Sequence, residues 1–158
     1  MGEGSVLRGR KGIGLESLAA IEGLYDAYLA QVSQLYRGLR PLQGFFGFQD
    51  GPQRNPCHRQ FAERMEAALA DASSASPAEI LEVLRYMYRA PLEQRESRSA
   101  WWMLLAVQKL TIPLLPRLSP ADTAELYAWY RKNYPSAMQL PPQKEILRQL
   151  KALGAGAP

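Results

Sequence analysis

"LAAIEGLYDAYLAQVSQLYRGL", residues 18–39, decides how this chain folds. Leu18, Ile21, Tyr25, Tyr28, Val32, Leu35 and Leu39 recur at alternating spacings of three and four. That rhythm tracks the turn of an α-helix, so these side chains share one face. Leu24, Leu29 and Tyr36 widen the stripe, while Ala19, Gly23, Asp26, Ala30, Ser33 and Arg37 lie away from it. A stripe this broad suits the core of a bundle better than the narrow seam of a two-stranded coiled coil. The helix should stop before Pro41, because a residue preceding proline disfavours helical dihedrals.

The same pattern repeats along the chain. Asn55 is a suitable N-cap and Pro56 a suitable first helical residue. They open a helix with Phe61, Met65, Ala68, Leu69 and Ala72 inward, ended by "SSAS" at residues 73–76. Ser76-Pro77-Ala78-Glu79 reads as a capping box. It starts a helix carrying Ile80, Leu84, Met87 and Tyr88 on one face and ending before Pro91. A nearly all-apolar helix over residues 97–111 should be the central one. Pro113 and Pro116 should kink or end it. Ser119-Pro120-Ala121-Asp122 starts a helix with Leu126, Tyr127, Tyr130 and Tyr134, and a last helix runs from Pro142 to Leu153. Gly154 stands where a C-terminal cap would.

No run alternates apolar and polar residues for long enough to make a strand. "GFFGF", residues 44–48, comes nearest, and it is short and broken by glycine. The expectation is an all-α, single-domain bundle of about six helices with no β-sheet. "SPAEILEVLRYMYR" and "SPADTAELYAWYRK" look alike, but two copies do not make a solenoid. A shared way of starting a helix explains the likeness.

The chain has 158 residues and a formal net charge of +4. That length fits one domain able to bury roughly 70% of its unfolded surface. Residues 1–14 read as a flexible basic tail, residues 15–153 as the helical domain, and residues 154–158 as a disordered tail. The start has no apolar core of a secretory signal, and Val6 breaks the myristoylation pattern. "AWWMLLAV", residues 100–107, is too short to cross a bilayer, so no membrane insertion is expected. The single cysteine excludes an intrachain disulfide and fits a reducing, cytoplasmic setting. With one cysteine and one histidine, no structural zinc site of the usual kind can be assembled, and neither metal nor cofactor is expected. The small positive excess agrees with acidic partners and equally with a solvated mixed surface.

"GFFGFQDGPQRNPCHRQF", residues 44–61, holds every phenylalanine together with the lone cysteine and histidine. Cys57 in the first helical turn would meet unpaired amides that favour a thiolate. His58 could serve as its base and Asp50 could orient the imidazole. Against this, adjacent helical residues point about 100° apart. The other reading makes Cys57 a small half-buried apolar residue. His58 would then pack over Phe61 and Ala62 and hydrogen-bond the incoming loop. Arg54 and Arg59 could add charge to an anion cradle at the same helix start, although Gly44, Gly47 and Gly51 match no nucleotide fingerprint.

Aromatic and basic residues also mix in "LYRGLRP", "RYMYRAP" and "WYRKNYP". Single-stranded nucleic-acid grooves use that mixture, yet most of these aromatics fall on the inward stripes. With no catalytic constellation in view, the sequence points to a non-catalytic intracellular protein that binds another macromolecule, a protein or a second copy of itself. Phe45, Phe46 and Phe48, with Arg54, Arg59 and neighbouring tyrosines, would form the contact surface. Nucleic-acid binding and an enzyme built on Cys57 and His58 are the alternatives.

Overall fold

The computed structural model describes residues 15–35, 56–93 and 98–155. The expected stop before Pro41, the Asn55 cap and both tails lie outside them. Among the described residues there are α-helices and 3-10 turns and no strand. The order is α1 (Glu16–Leu35), α2 (Pro56–Ala72), α3 (Pro77–Glu93), α4 (Arg98–Ala106), a 3-10 helix (Val107–Arg117), α5 (Pro120–Asn133), a 3-10 turn (Ser136–Met138) and α6 (Pro141–Gly154). One contiguous apolar core draws side chains from all six α-helices, so this is an all-α bundle.

The α1 stripe is buried as its spacing requires. Ile21, Tyr25, Tyr28 and Val32 lie inside, while Ala19, Gly23, Asp26, Ala30 and Ser33 are exposed. Helix α2 packs against it antiparallel. Tyr25 meets Phe61 edge to face, and Tyr28, one turn on, stacks on Phe61 and reaches back to His58. Helices α5 and α6 form a second antiparallel pair, joined by the short 134–140 connection.

Ser76 and Ser119 cap α3 and α5 as their sequences suggest, accepting from the amides of Glu79 at 3.2 Å and Asp122 at 3.1 Å. The capping box at Ser76 is only half formed, however. The Glu79 carboxylate turns away from its own helix and accepts from the amides of Ser17 (2.8 Å) and Leu18 (3.3 Å) in the first turn of α1. There it satisfies donors that an isolated helix leaves open and complements the positive end of the α1 dipole.

Both proline expectations need correction. Helix α3 runs through Pro91 to Glu93. The ring removes one backbone hydrogen bond near the helix end, where the loss is smallest. Nearby carbonyls find side-chain donors instead: the Tyr134 hydroxyl donates to the Tyr88 carbonyl, and Trp101 Nε1 donates to the Pro91 carbonyl at 2.9 Å. The apolar α-helix ends at Ala106, before the expected residue 111 and before either proline. After Ala106 it tightens into a 3-10 helix that carries both prolines. With three residues per turn, positions three apart align. Gln108, Thr111 and Leu114 form a buried row, and Pro113 and Pro116 lie together on an exposed one. The missing amides thus fall on the solvent side, where water can take the unpaired carbonyls.

Gly154 is not a left-handed cap. It is the last residue of α6, followed by Ala155 at φ −63°. A Cβ added there would come within 3.0 Å of the Ala124 Cα, so glycine lets α6 lie close against the start of α5.

Candidate functional site

The first turn of α2 carries the two rarest side chains inward. Cys57 is buried and His58 is 0% exposed. The Tyr28 hydroxyl and His58 Nδ1 are 2.7 Å apart, and the imidazole lies 5.3 Å from the Trp102 ring, centre to centre. Cys57 lines a recess of about 20 Å³ with Leu24, Ala27, Tyr28 and Phe61 among its walls. That volume holds no more than a water molecule. One detail differs from the sequence reading, since Cys57 is fully rather than half buried; the Tyr28 contact of His58 is an addition to it, and the expected bond from His58 to the incoming loop falls on residues outside the described ones. Asp50, Phe45, Phe46, Phe48 and Arg54 lie outside the described residues. Arg59 is exposed and sits 3.8 Å from Glu63 on the same helix.

A buried polar cluster joins α3, the 3-10 helix, α5 and α6, and sequence reasoning did not find it. Gln108 is at its centre, 0% exposed. Its Oε1 accepts from the Tyr130 hydroxyl at 2.6 Å and from Gln143 Nε2 at 3.1 Å, and its Nε2 donates to the Tyr134 hydroxyl at 2.9 Å. Gln143 Nε2 also donates to the Leu105 carbonyl, while its Oε1 accepts from the Leu140 amide where α6 begins. Thr111 Oγ1 donates to the Gln108 carbonyl, so the Tyr88 hydroxyl, 2.6 Å away, must be its donor partner. The rings of Tyr130 and Tyr134 stack at 4.3 Å and Tyr88 meets Tyr130 edge to face. Burial drives the Tyr88 and Tyr130 hydroxyls well above the ordinary phenol range. The one available sequence signal was Gln108 itself, which interrupts an apolar run at a position the 3-10 period turns inward.

On the surface beside this cluster, α3 and α5 flank a groove of about 250 Å³ lined by Arg85, Arg89, Glu125, Leu126 and Trp129. The basic-aromatic segments "RYMYRAP" and "WYRKNYP" meet here. Their tyrosines 88, 130 and 134 go into the core, leaving Arg85, Arg89, Arg131, Lys132 and the half-buried Tyr86 and Trp129 outside it. Among the described residues, no group of three His, Cys, Asp or Glu side chains could hold a metal ion, and no helix is long and apolar enough to cross a membrane. Comparison of the chain with protein-family models, with characterised proteins and with solved structures finds no match.

Proposed function

We propose that this chain is a non-catalytic, intracellular helical-bundle protein that binds another protein, with residues 44–54 and neighbouring tyrosine and arginine side chains as the contact surface. The observation that carries this reading is the spacing of α1 and α2. They pack side by side and antiparallel, and with the α1 stripe running on to Leu39 and stopping before Pro41, as its sequence suggests, about fifteen residues still precede the start of α2 at Pro56. An antiparallel helix pair needs only about two to eight, and longer connections in small domains are commonly functional. This one contains three of the four phenylalanines of the chain, side chains that anchor interfaces well. The buried and engaged positions of Cys57 and His58 give both residues a role in packing, which supports the same reading. A cytoplasmic location belongs to it as well, since a chain with a single cysteine makes no intrachain disulfide.

The test is affinity capture under native conditions, followed by sedimentation velocity to detect self-association. The wild-type chain is compared with a variant carrying Phe45→Ser, Phe46→Ser and Phe48→Ser. The expected result is loss of the captured partner or of the dimer while the thermal melt stays unchanged. Full partner recovery by a folded triple variant would overturn the proposal.

A further inference from the structure

Helices α5 and α6 pack closely on each other, and Gly154 lets their ends approach. Their hold on the rest of the bundle is narrower. Helix α6 lies on the 3-10 helix, whereas α5 has only a light contact with α3. Among the described residues, every hydrogen bond across this boundary belongs to the Gln108 cluster. From the end of α5, Tyr130 donates to Gln108 Oε1, while Tyr134 accepts from Gln108 Nε2 and donates to the Tyr88 carbonyl. From α6, Gln143 Nε2 donates to Gln108 Oε1 and to the Leu105 carbonyl. Gln108, Tyr130, Tyr134 and Gln143 are all 0% exposed. One ion pair also crosses, Arg85 to Glu125 at 3.8 Å, and its exposure leaves it weak. The chain itself crosses at Leu118 and Ser119, both extended, with ψ of 154° and 155°.

A polar seam behaves differently from an apolar layer. Its directional bonds hold the two sides in one register, yet water takes over the same donors and acceptors once the sides part. Helices α1, α2 and α3 meet instead through the packed rings of Tyr25, Tyr28, Phe61 and Tyr86, which water cannot replace. We infer that α5 and α6 open from the bundle as one unit, hinged at Leu118 and Ser119, with the Gln108 cluster as the latch. Detached, each is a 14-residue helix at the limit of what an isolated helix sustains, so opening frees their amides. It also uncovers Leu126, Ile146 and Leu150 while α1, α2 and α3 stay folded. Residues 44–54 take no part, so failure of this inference would leave the reading of that segment standing.

The experiment is native-state hydrogen exchange of the full chain, read amide by amide. In the wild type, the amides of residues 126–130 and 146–150 should share one protection factor, at least about tenfold below that of residues 83–87 in α3. Gln143→Leu removes the α6 side of the latch and should speed α5 and α6 together by a further tenfold or so, with α3 unchanged. Tyr130→Phe deletes one bond, keeps the ring and strands no backbone group. It should give the same pattern at about threefold, and it decides the matter if Gln143→Leu does not fold. Wild-type α5 and α6 amides that exchange only together with those of α3 would overturn the inference. So would a Tyr130→Phe effect spread evenly over all the helices, or absent from α5 and α6.

Discussion

Tyr25 and Gln108 show opposite ways of burying a polar atom. Every polar atom of the Gln108 side chain has a partner, and the cluster around it links the 3-10 helix to α5 and α6. The Tyr25 hydroxyl is buried with no hydrogen-bond partner among the described residues, although its ring sits between Phe61 and Tyr86 at edge-to-face distance. An unsatisfied buried hydroxyl costs about 1–3 kcal/mol in lost hydration. Tyr25→Phe keeps the ring and removes that cost. It should therefore stabilise the fold by about 1 kcal/mol, a rise in Tm of about 2–4 °C for a chain of this size. Chemical denaturation with an unchanged m-value is the appropriate measurement. A loss of 1 kcal/mol or more would mean that the hydroxyl is satisfied, by a trapped water for example. The sequence placed Tyr25 on the buried face from its spacing alone. It could not say which buried tyrosines would be satisfied, because their partners arrive from helices distant in sequence.

At the scale of elements, local rules located the helices and tertiary contacts set their details. Periodicity found the α1 stripe, and the Ser-Pro signatures found the starts of α3 and α5, because both depend on residues within one or two turns. Three of the failures have a common cause. Glu79, Pro91 and Gly154 each have an obvious local interpretation, and in each the competing partner is nonlocal; Pro113 is instead accommodated locally, on the solvent side of a 3-10 helix. Glu79 is the most testable. It accepts two amides of α1 from a nearly buried position, 6% exposed. Glu79→Ala should cost about 2–3 kcal/mol, more than an ordinary capping residue, because charge-assisted bonds are lost and two α1 amides are left open. Hydrogen exchange should speed up first at the amides of Ser17 and Leu18. If the amides of α3 opened in their place, with α1 untouched, Glu79 would be capping its own helix as the local box predicts. The candidate sites divide along the same line. Cys57 and His58 were legible as a helix start and as packing groups, whereas the Gln108 cluster needed the 3-10 helix, α5 and α6 brought together.

For the molecule as a whole, eight tyrosines in one small bundle set its response to alkali. Burial, and then the neighbouring negative groups, push the Tyr86 hydroxyl up to about 12. Burial also raises Tyr25, Tyr88 and Tyr130 well above the ordinary phenol range, with their tyrosine neighbours adding to it. In the unfolded chain these phenols ionise near 10. Above that pH the unfolded state therefore releases protons that the folded state keeps, so stability falls as pH rises. The contribution is fully present below about pH 10 and is lost progressively on the way up to the folded-state values. Each fully buried phenol contributes a slope of about 1.4 kcal/mol per pH unit, so Tyr25, Tyr88 and Tyr130 together give roughly 4. Against a typical stability of about 5–15 kcal/mol, the bundle should unfold within about one to four units above pH 10. Absorbance at 295 nm should rise in two stages. The accessible tyrosines titrate first while far-UV circular dichroism holds, and the buried ones follow in a cooperative step that coincides with loss of helix. Tyr130→Phe should reduce the steepness of the second stage by about one third. A single smooth titration of all the tyrosines near pH 10 with the helices intact would mean that the phenols at the heart of the bundle are open to water.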